Sequence, residues 1–289
     1  MDILLSIITV NLNNRDGLVK TLESVQAQDA GFYEHIIIDG GSTDGSAGTI
    51  GSYRSANRHC TYCVSEKDNG IYAGMNKGID HAAGDYLLFL NSGDCLLPGI
   101  LTRIRPLLDG TDLVYGDLET CGGAAGAETV EFPDPPFRAT DIISDGFYLP
   151  HPATFINRRL FSARRYDENL KIVSDWKFWV ECMTREECSL RHAGMTVSRY
   201  DLNGVSTRDP AYNLREREKA LEEILGRPVL EDLRELEALR KAPLYRIFRE
   251  SANDRKFQKA ARNLLSIPFK MRQLWKERRS RKHHGAHQD

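Results

Sequence analysis

The sequence predicts an α/β fold: a mainly parallel sheet flanked by helices, with a helical C-terminal extension. Three observations predict it. Through the first hundred residues, apolar runs of strand length alternate with stretches whose apolar positions recur at helical spacing. Those runs are continuous rather than alternating in polarity, as expected where helices cover both faces of a sheet. Beyond residue 210 the pattern is helical only.

In chain order, Leu4–Val10 is a β-rich apolar run, and Arg15–Gln28 carries Leu18, Leu22 and Val25 at helical spacing. His35–Asp39 reads as a second strand. It is followed by Gly40-Gly41-Ser42-Thr43-Asp44-Gly45, a loop suited to capping the next helix. Tyr62–Ser65 predicts a third strand, Ile71–Ala83 a helix, and Asp85–Leu90 a fourth strand. Beyond residue 98 the signals are less regular. Asp112–Asp117 predicts a strand, Cys121–Ala127 a hairpin tip or loose loop, and Phe132–Phe137, with its prolines, a connector. Ser174–Thr184 predicts a helix that packs Trp176, Phe178, Trp179 and Val180 on the sheet. Ala211–Leu225 and Val229–Leu239 predict two more.

Composition bounds the class. With 289 residues, 41% apolar and 28% charged, the chain can bury a sizeable core. No stretch approaches the roughly 20 apolar residues that span a bilayer. The start, Met1-Asp2-Ile3-Leu4-Leu5, lacks the basic region of a signal peptide, so a cytosolic protein is expected. Six cysteines, among them a lone Cys60-Thr-Tyr-Cys63, form no disulfide or zinc framework by spacing. The net charge of −2 conceals a division: residues 255–289 carry 11 basic against 2 acidic residues, and the rest 28 against 39.

In open parallel sheets, ligands bind outside the carboxyl ends of the strands. Those ends here are Asn11, Asp39, Glu66-Lys67-Asp68, and Asn91-Ser92-Gly93-Asp94. The turn after the first strand, Asn-Leu-Asn-Asn-Arg, is not a dinucleotide fingerprint, and no Walker loop is present. Neither a nicotinamide enzyme nor a P-loop kinase is expected on that ground.

Ser6-Ile-Ile-Thr-Val-Asn11, Ile38-Asp39-Gly-Gly-Ser-Thr-Asp44-Gly, Glu66-Lys-Asp68-Asn-Gly-Ile-Tyr, Met75-Asn76-Lys-Gly78 and Asn91-Ser-Gly-Asp94 occur in order. Together they resemble a family 2 glycosyltransferase of the GT-A fold, the bacterial surface-polysaccharide type, over roughly residues 3–206. The resemblance implies a nucleotide-sugar-binding half over 1–95, an acceptor-binding half over 96–225, and a basic helical extension over 226–289. It implies donor or nucleotide contacts at Thr9, Asn11, Asp39, Asp68, Asn76, Lys77, Asn91 and Ser92. Asp94 stands as the metal ligand where the family usually writes Asp-x-Asp-Asp, and one carboxylate with donor phosphates can still hold Mg²⁺ or Mn²⁺. Asp175, opening the Ser174 helix, resembles the general base that deprotonates the acceptor hydroxyl. His151 and Ser206 resemble positions of the acceptor or donor cleft, and Asp201–Ser206 the segment that closes on the donor.

The expected activity is inverting transfer of a sugar from a nucleotide-diphosphate donor, a UDP-sugar, to an oligosaccharide or lipid-linked saccharide. An inactive nucleotide-sugar-binding protein and a nucleotidyltransferase of related fold are the alternatives. Residues 255–282 set Phe257, Leu264, Leu265 and Trp275 among basic residues, a pattern that lies on an anionic membrane surface. A peripheral place on the inner face of the plasma membrane follows from that pattern. Nucleic acid is not an expected partner of so acidic a body.

Overall fold

The computed structural model describes residues 3–121, 126–144, 146–185, 188–202 and 209–263. The first half follows the alternating pattern: β1 (Leu5–Asn11), α1 (Arg15–Gln26), β2 (Tyr33–Asp39), α2 (Ser46–Ala56), β3 (Cys60–Ser65), α3 (Ile71–His81) and β4 (Tyr86–Phe89). Every residue of β1, β2 and β4 is buried, which is why these strands read as unbroken apolar runs. β3 lies at the edge of the sheet and is only partly covered. The stripe Leu18, Leu22 and Val25 of α1 is buried, and Leu18 and Leu22 pack with Ile37, Ile50 and Tyr53. α3 lies so close over β1 that a Cβ at Gly78 would collide with Ile8.

The second half contains β5 (Cys95–Leu96), α4 (Ile100–Ile104), β6 (Leu113–Cys121), β7 (Glu128–Val130), α5 (Ala139–Ile142), β8 (Thr154–Asn157), α6 (Ser174–Arg185) and β9 (Leu190–Asp201). Among the described residues, one sheet runs β3-β2-β1-β4-β8-β6-β9-β5, with β7 on β6. Its long ladders are parallel, and the short ladders that join β8, β7 and β5 are antiparallel. Sequence alone predicts neither β8 nor β9. β8 has only four residues, and β9 mixes Arg, His, Gly and Ser with few apolar positions. Strand β9 still forms because both sides pair, parallel to β6 and, at its end, antiparallel to β5.

Register places the site. Asn11 pairs with Asp39 and Asp39 with Ser65, so three polar strand ends stand side by side. The Cys95–Arg199 and Leu96–Ser198 pairs bring the end of β9 back to the loop after β4. α7 (Pro210–Leu225) fixes the approach to α6, because Glu216 accepts the backbone N–H groups of Lys171 and Ile172, both at 2.9 Å. Lys177 of α6 pairs with Asp167 and with Glu223 of α7.

The contacts divide the chain into two compact units, one ending at Leu230 and one beginning at Glu231, within α8 (Arg227–Lys241). The second unit continues through α9 (Tyr245–Glu250) and is helical again over 255–263. Among the described residues no helix is long and apolar enough to cross a membrane. Of the basic stretch 255–282, residues 264–282 lie outside the described residues, as does the tip of the β6–β7 hairpin at 122–125.

Candidate active site

The first group at the strand ends is built around Asp39. Its Oδ1 accepts from Asn11 Nδ2 at 2.7 Å and Ser42 Oγ at 2.6 Å, and its Oδ2 from Ser42 N at 3.0 Å and Ser65 Oγ at 2.6 Å. Burial alone raises a carboxyl pKa, but these donors from Ser42, Ser65 and Asn11 outweigh it and hold Asp39 below its ordinary value. Asp39 is wholly buried while Ser65 is exposed, so this edge offers hydroxyls rather than the carboxylate. A base N–H would have to displace one of them. Asn11 is also buried, and its Oδ1 has no hydrogen-bond partner. Asp68 retains more acceptor capacity: it takes one N–H, from Gly70 at 3.0 Å, and is half-buried against Gly40 and Gly74.

The second group is the loop after β4. Thr21 of α1 ties it down, receiving the Gly93 N–H at 2.9 Å and donating to the Asp94 carbonyl at 2.7 Å. Asn14, the N-cap of α1, donates to the Ser92 carbonyl at 2.9 Å. Asn91 Oδ1 is shut from solvent without a hydrogen-bond partner. Asp94 is 5% exposed, and its Oδ1 accepts the backbone N–H of Asp201 at 3.0 Å. Burial pushes the Asp94 carboxyl up to about 7; the Asp201 N–H opposes this and the Asp201 charge adds to it.

The third group centres on Asp175 in the first turn of α6. Its side chain is 25% exposed, Tyr72 Oη donates to Oδ1 at 3.1 Å, and His151 Nδ1 lies 3.8 Å from Oδ2, beyond hydrogen-bond reach. His151 pairs through Nε2 with Tyr166 Oη at 2.9 Å and stacks on Phe89 at the end of β4, centroids 5.0 Å apart. Burial lowers the His151 pKa, the Asp175 charge only partly opposing it, so a neutral ring backs the carboxylate. Because Tyr72 opens α3 just after Asp68, the third group is joined to the first.

Four expectations change. Thr9 lies two residues inside β1, wholly buried, with its hydroxyl 2.9 Å from His35 Nε2; it is a core residue and not a donor contact. Asn76 spends its amide on the Tyr166 N–H, the Tyr166 carbonyl and Glu168, so it clamps the approach to α6. His151 is 9% exposed and packed among rings rather than lining a cleft. Lys77 pairs with Glu66, whose hydrogen bond raises the lysine pKa, so its charge is shared within the protein. Ser92 stays half-exposed in the pinned loop, and Ser206 lies outside the described residues. Thr21, Asn14, Tyr72 and Tyr166 escape the sequence reading; only Tyr72, inside the Asp68-Asn-Gly-Ile-Tyr motif, carried a signal. Cavities of about 450 and 670 Å³ lie elsewhere, one beside Pro135–Phe137 and one at the amino ends of the strands near Leu4 and Asp85.

A strand edge rich in hydroxyl and amide groups, a corner with a buried acid, and a separate supported carboxylate together suit transfer of a group from a polar donor. The profile of glycosyl transferase family 2 matches residues 6–161, and the chain belongs to that family. It is 33% identical over 213 residues to the uncharacterized glycosyltransferase Rv1514c of Mycobacterium tuberculosis, covering 71% of this chain and 78% of that one. It is 28% identical over 213 residues to the PGL/p-HBAD biosynthesis glycosyltransferase of Mycobacterium bovis BCG, covering 70% and 78%. The solved structure of S. aureus TarS 1–349 with UDP-GlcNAc superposes at a TM-score of 0.56 with 16% identity, over 69% of this chain and 58% of that one. That likeness shows a GT-A type fold.

The family implies a divalent cation. Among the described residues no three His, Cys, Asp or Glu side chains converge on a metal position. Asp94 and the unpartnered Asn91 Oδ1 are hard oxygen donors in one loop, the chemistry that Mg²⁺ or Mn²⁺ accepts, so the residues present fit.

Proposed function

We propose that this glycosyltransferase moves a sugar from a nucleotide-diphosphate donor, a UDP-sugar, to a lipid-linked saccharide, inverting the anomeric carbon, in the building of a cell-surface glycan. The observation that carries the reading is Asp175, a partly exposed carboxylate that accepts from Tyr72 and lies near His151, which stacks on Phe89 at the end of β4. Asp175 takes the proton of the acceptor hydroxyl as that oxygen attacks the anomeric carbon from the face opposite the diphosphate, which gives a single in-line displacement. Asn11, Asp68 and the serines around Asp39 orient the nucleoside, and Asn91 and Ser92 meet the diphosphate and sugar. Asp94 would hold the cation, which when bound offsets charge on the departing diphosphate. The UDP-GlcNAc complex of TarS supports the donor class, and the PGL/p-HBAD biosynthesis relative supports a role in surface-glycan building.

Release of UDP from UDP-sugars, measured with and without saccharide acceptors, tests this. Asp175→Asn should lower turnover by about 10²–10⁴-fold with donor binding kept. Donor binding with no turnover in the native chain, across UDP- and GDP-sugars, would point instead to a binding protein. The membrane placement rests on residues 255–263, helical and bearing Arg255, Lys256, Lys259 and Arg262 with a partly exposed Phe257. Reversing those four charges to Glu should reduce co-sedimentation with phosphatidylserine vesicles, and unchanged sedimentation refutes it.

A further inference from the structure

We infer that Asp201, at the end of β9, supplies the carboxylate that the loop after β4 lacks at position 93, so that the cation of the diphosphate corner is held from two sides. This rests on the reading of that corner as the donor-diphosphate site. The antiparallel pairs Cys95–Arg199 and Leu96–Ser198, continued two residues further, set Gly93 opposite Asp201. A Cβ built on Gly93 would lie 3.3 Å from Asp201 Oδ2 and 3.4 Å from Asp201 Cβ, so the Asp201 side chain occupies the space into which a residue-93 side chain would grow. Gly93 has φ +111°, a conformation that L side chains rarely adopt. The turn therefore demands glycine where the family usually writes an acid.

The two acids are also fixed relative to each other. The Asp201 N–H donates to Asp94 Oδ1 at 3.0 Å, and Asp94 is anchored through Thr21. Two carboxylates held this close repel each other, and a cation between them offsets that repulsion. In the same loop, Asn91 Oδ1 is a buried oxygen with no hydrogen-bond partner. Two carboxylates and a carbonyl oxygen, completed by substrate phosphate and water, make up the kind of shell Mg²⁺ and Mn²⁺ commonly take.

The test is Mn²⁺ titration of the full chain, read by the loss of the free-ion electron paramagnetic resonance signal, with UDP and separately with GDP present. Asp201→Asn keeps the backbone N–H to Asp94 and should weaken Mn²⁺ binding at least tenfold, as should Asp94→Asn. Metal-free melting temperatures check that both variants fold, and Asp201→Glu should restore part of the affinity. Asp201→Asn binding Mn²⁺ as the native chain does, while Asp94→Asn does not, overturns the assignment and leaves the corner's reading intact. A native chain that binds neither nucleotide with Mn²⁺ overturns both.

Discussion

Asp39 and Asp175 are both carboxylates near strand ends, yet their surroundings are opposite. Asp39 has all its acceptor positions filled by protein donors and no exposure. Asp175 has a tyrosine hydroxyl, a neutral histidine behind it and a quarter of its side chain open. The lesson is that the acid with the most hydrogen bonds is the one least able to move a proton. Asp39 organises loop 40–45 and the ends of β1–β3, whereas Asp175 keeps the open acceptor capacity that the proposed base requires.

The largest effect that can break this contrast is on stability. Asp39→Ala leaves the Asn11 amide, the Ser42 N–H and two serine hydroxyls without their acceptor, each at about 1–3 kcal/mol where burial is complete. Part of that is recovered by water at the exposed serines, so a loss of about 4 kcal/mol in denaturant unfolding is expected. Asp175→Asn should leave unfolding within about 0.5 kcal/mol of native. A stable Asp39→Ala chain that has lost nucleotide binding would reverse the assignment and make Asp39 a ligand contact.

The same β1–β2 region carries a second, pH-dependent effect. His35 is wholly buried between Thr9 Oγ1 and Tyr53 Oη, and burial pushes its pKa down to about 3. The unfolded chain protonates histidine near about pH 6.5. Below that pH the unfolded state binds a proton the folded state refuses, so stability is full above about 6.5 and falls as pH drops toward 3. The slope is about 1.4 kcal/mol per pH unit. Between pH 6.5 and 4 the native chain should lose about 3 kcal/mol more than His35→Gln. Parallel losses in the two proteins would show that His35 is not the group responsible.

The contrast also explains what the sequence can reveal. β1 and β2 are legible because every residue is buried, which writes an apolar run into the chain. β9 is not, since its register shifts against β6 and its partial cover admit arginine, histidine and glycine. At the candidate site, Asp94 and Asp175 are proposed from motif position, but most of their neighbours carry no such signal. Thr21 reads as one more polar residue of an amphipathic helix, and nothing in its spacing says that it binds a loop more than 70 residues away. His151 reads as a cleft residue because its motif resembles the family's, whereas it stacks on Phe89 and is 9% exposed. Side-chain direction and long-range pairing decide these cases, and both are tertiary properties.

The smallest effect probes the Asp175 side alone. Tyr72 is 5% exposed, and its hydroxyl reaches Asp175 across more than a hundred residues of sequence. Tyr72→Phe removes one oxygen and leaves the ring packed against Tyr166, at a centroid distance of 5.8 Å in the native chain. A hydrogen bond to a charged group contributes about 1.5–3 kcal/mol, and part of that is already returned by the carboxylate's access to water. Turnover should therefore fall about tenfold, with the donor KM and the melting temperature little changed, since only the orientation of the base is loosened. If KM rises while kcat holds, Tyr72 shapes the donor pocket through α3 instead, and the division between a saturated floor and an open base must be redrawn with Tyr72 on the other side.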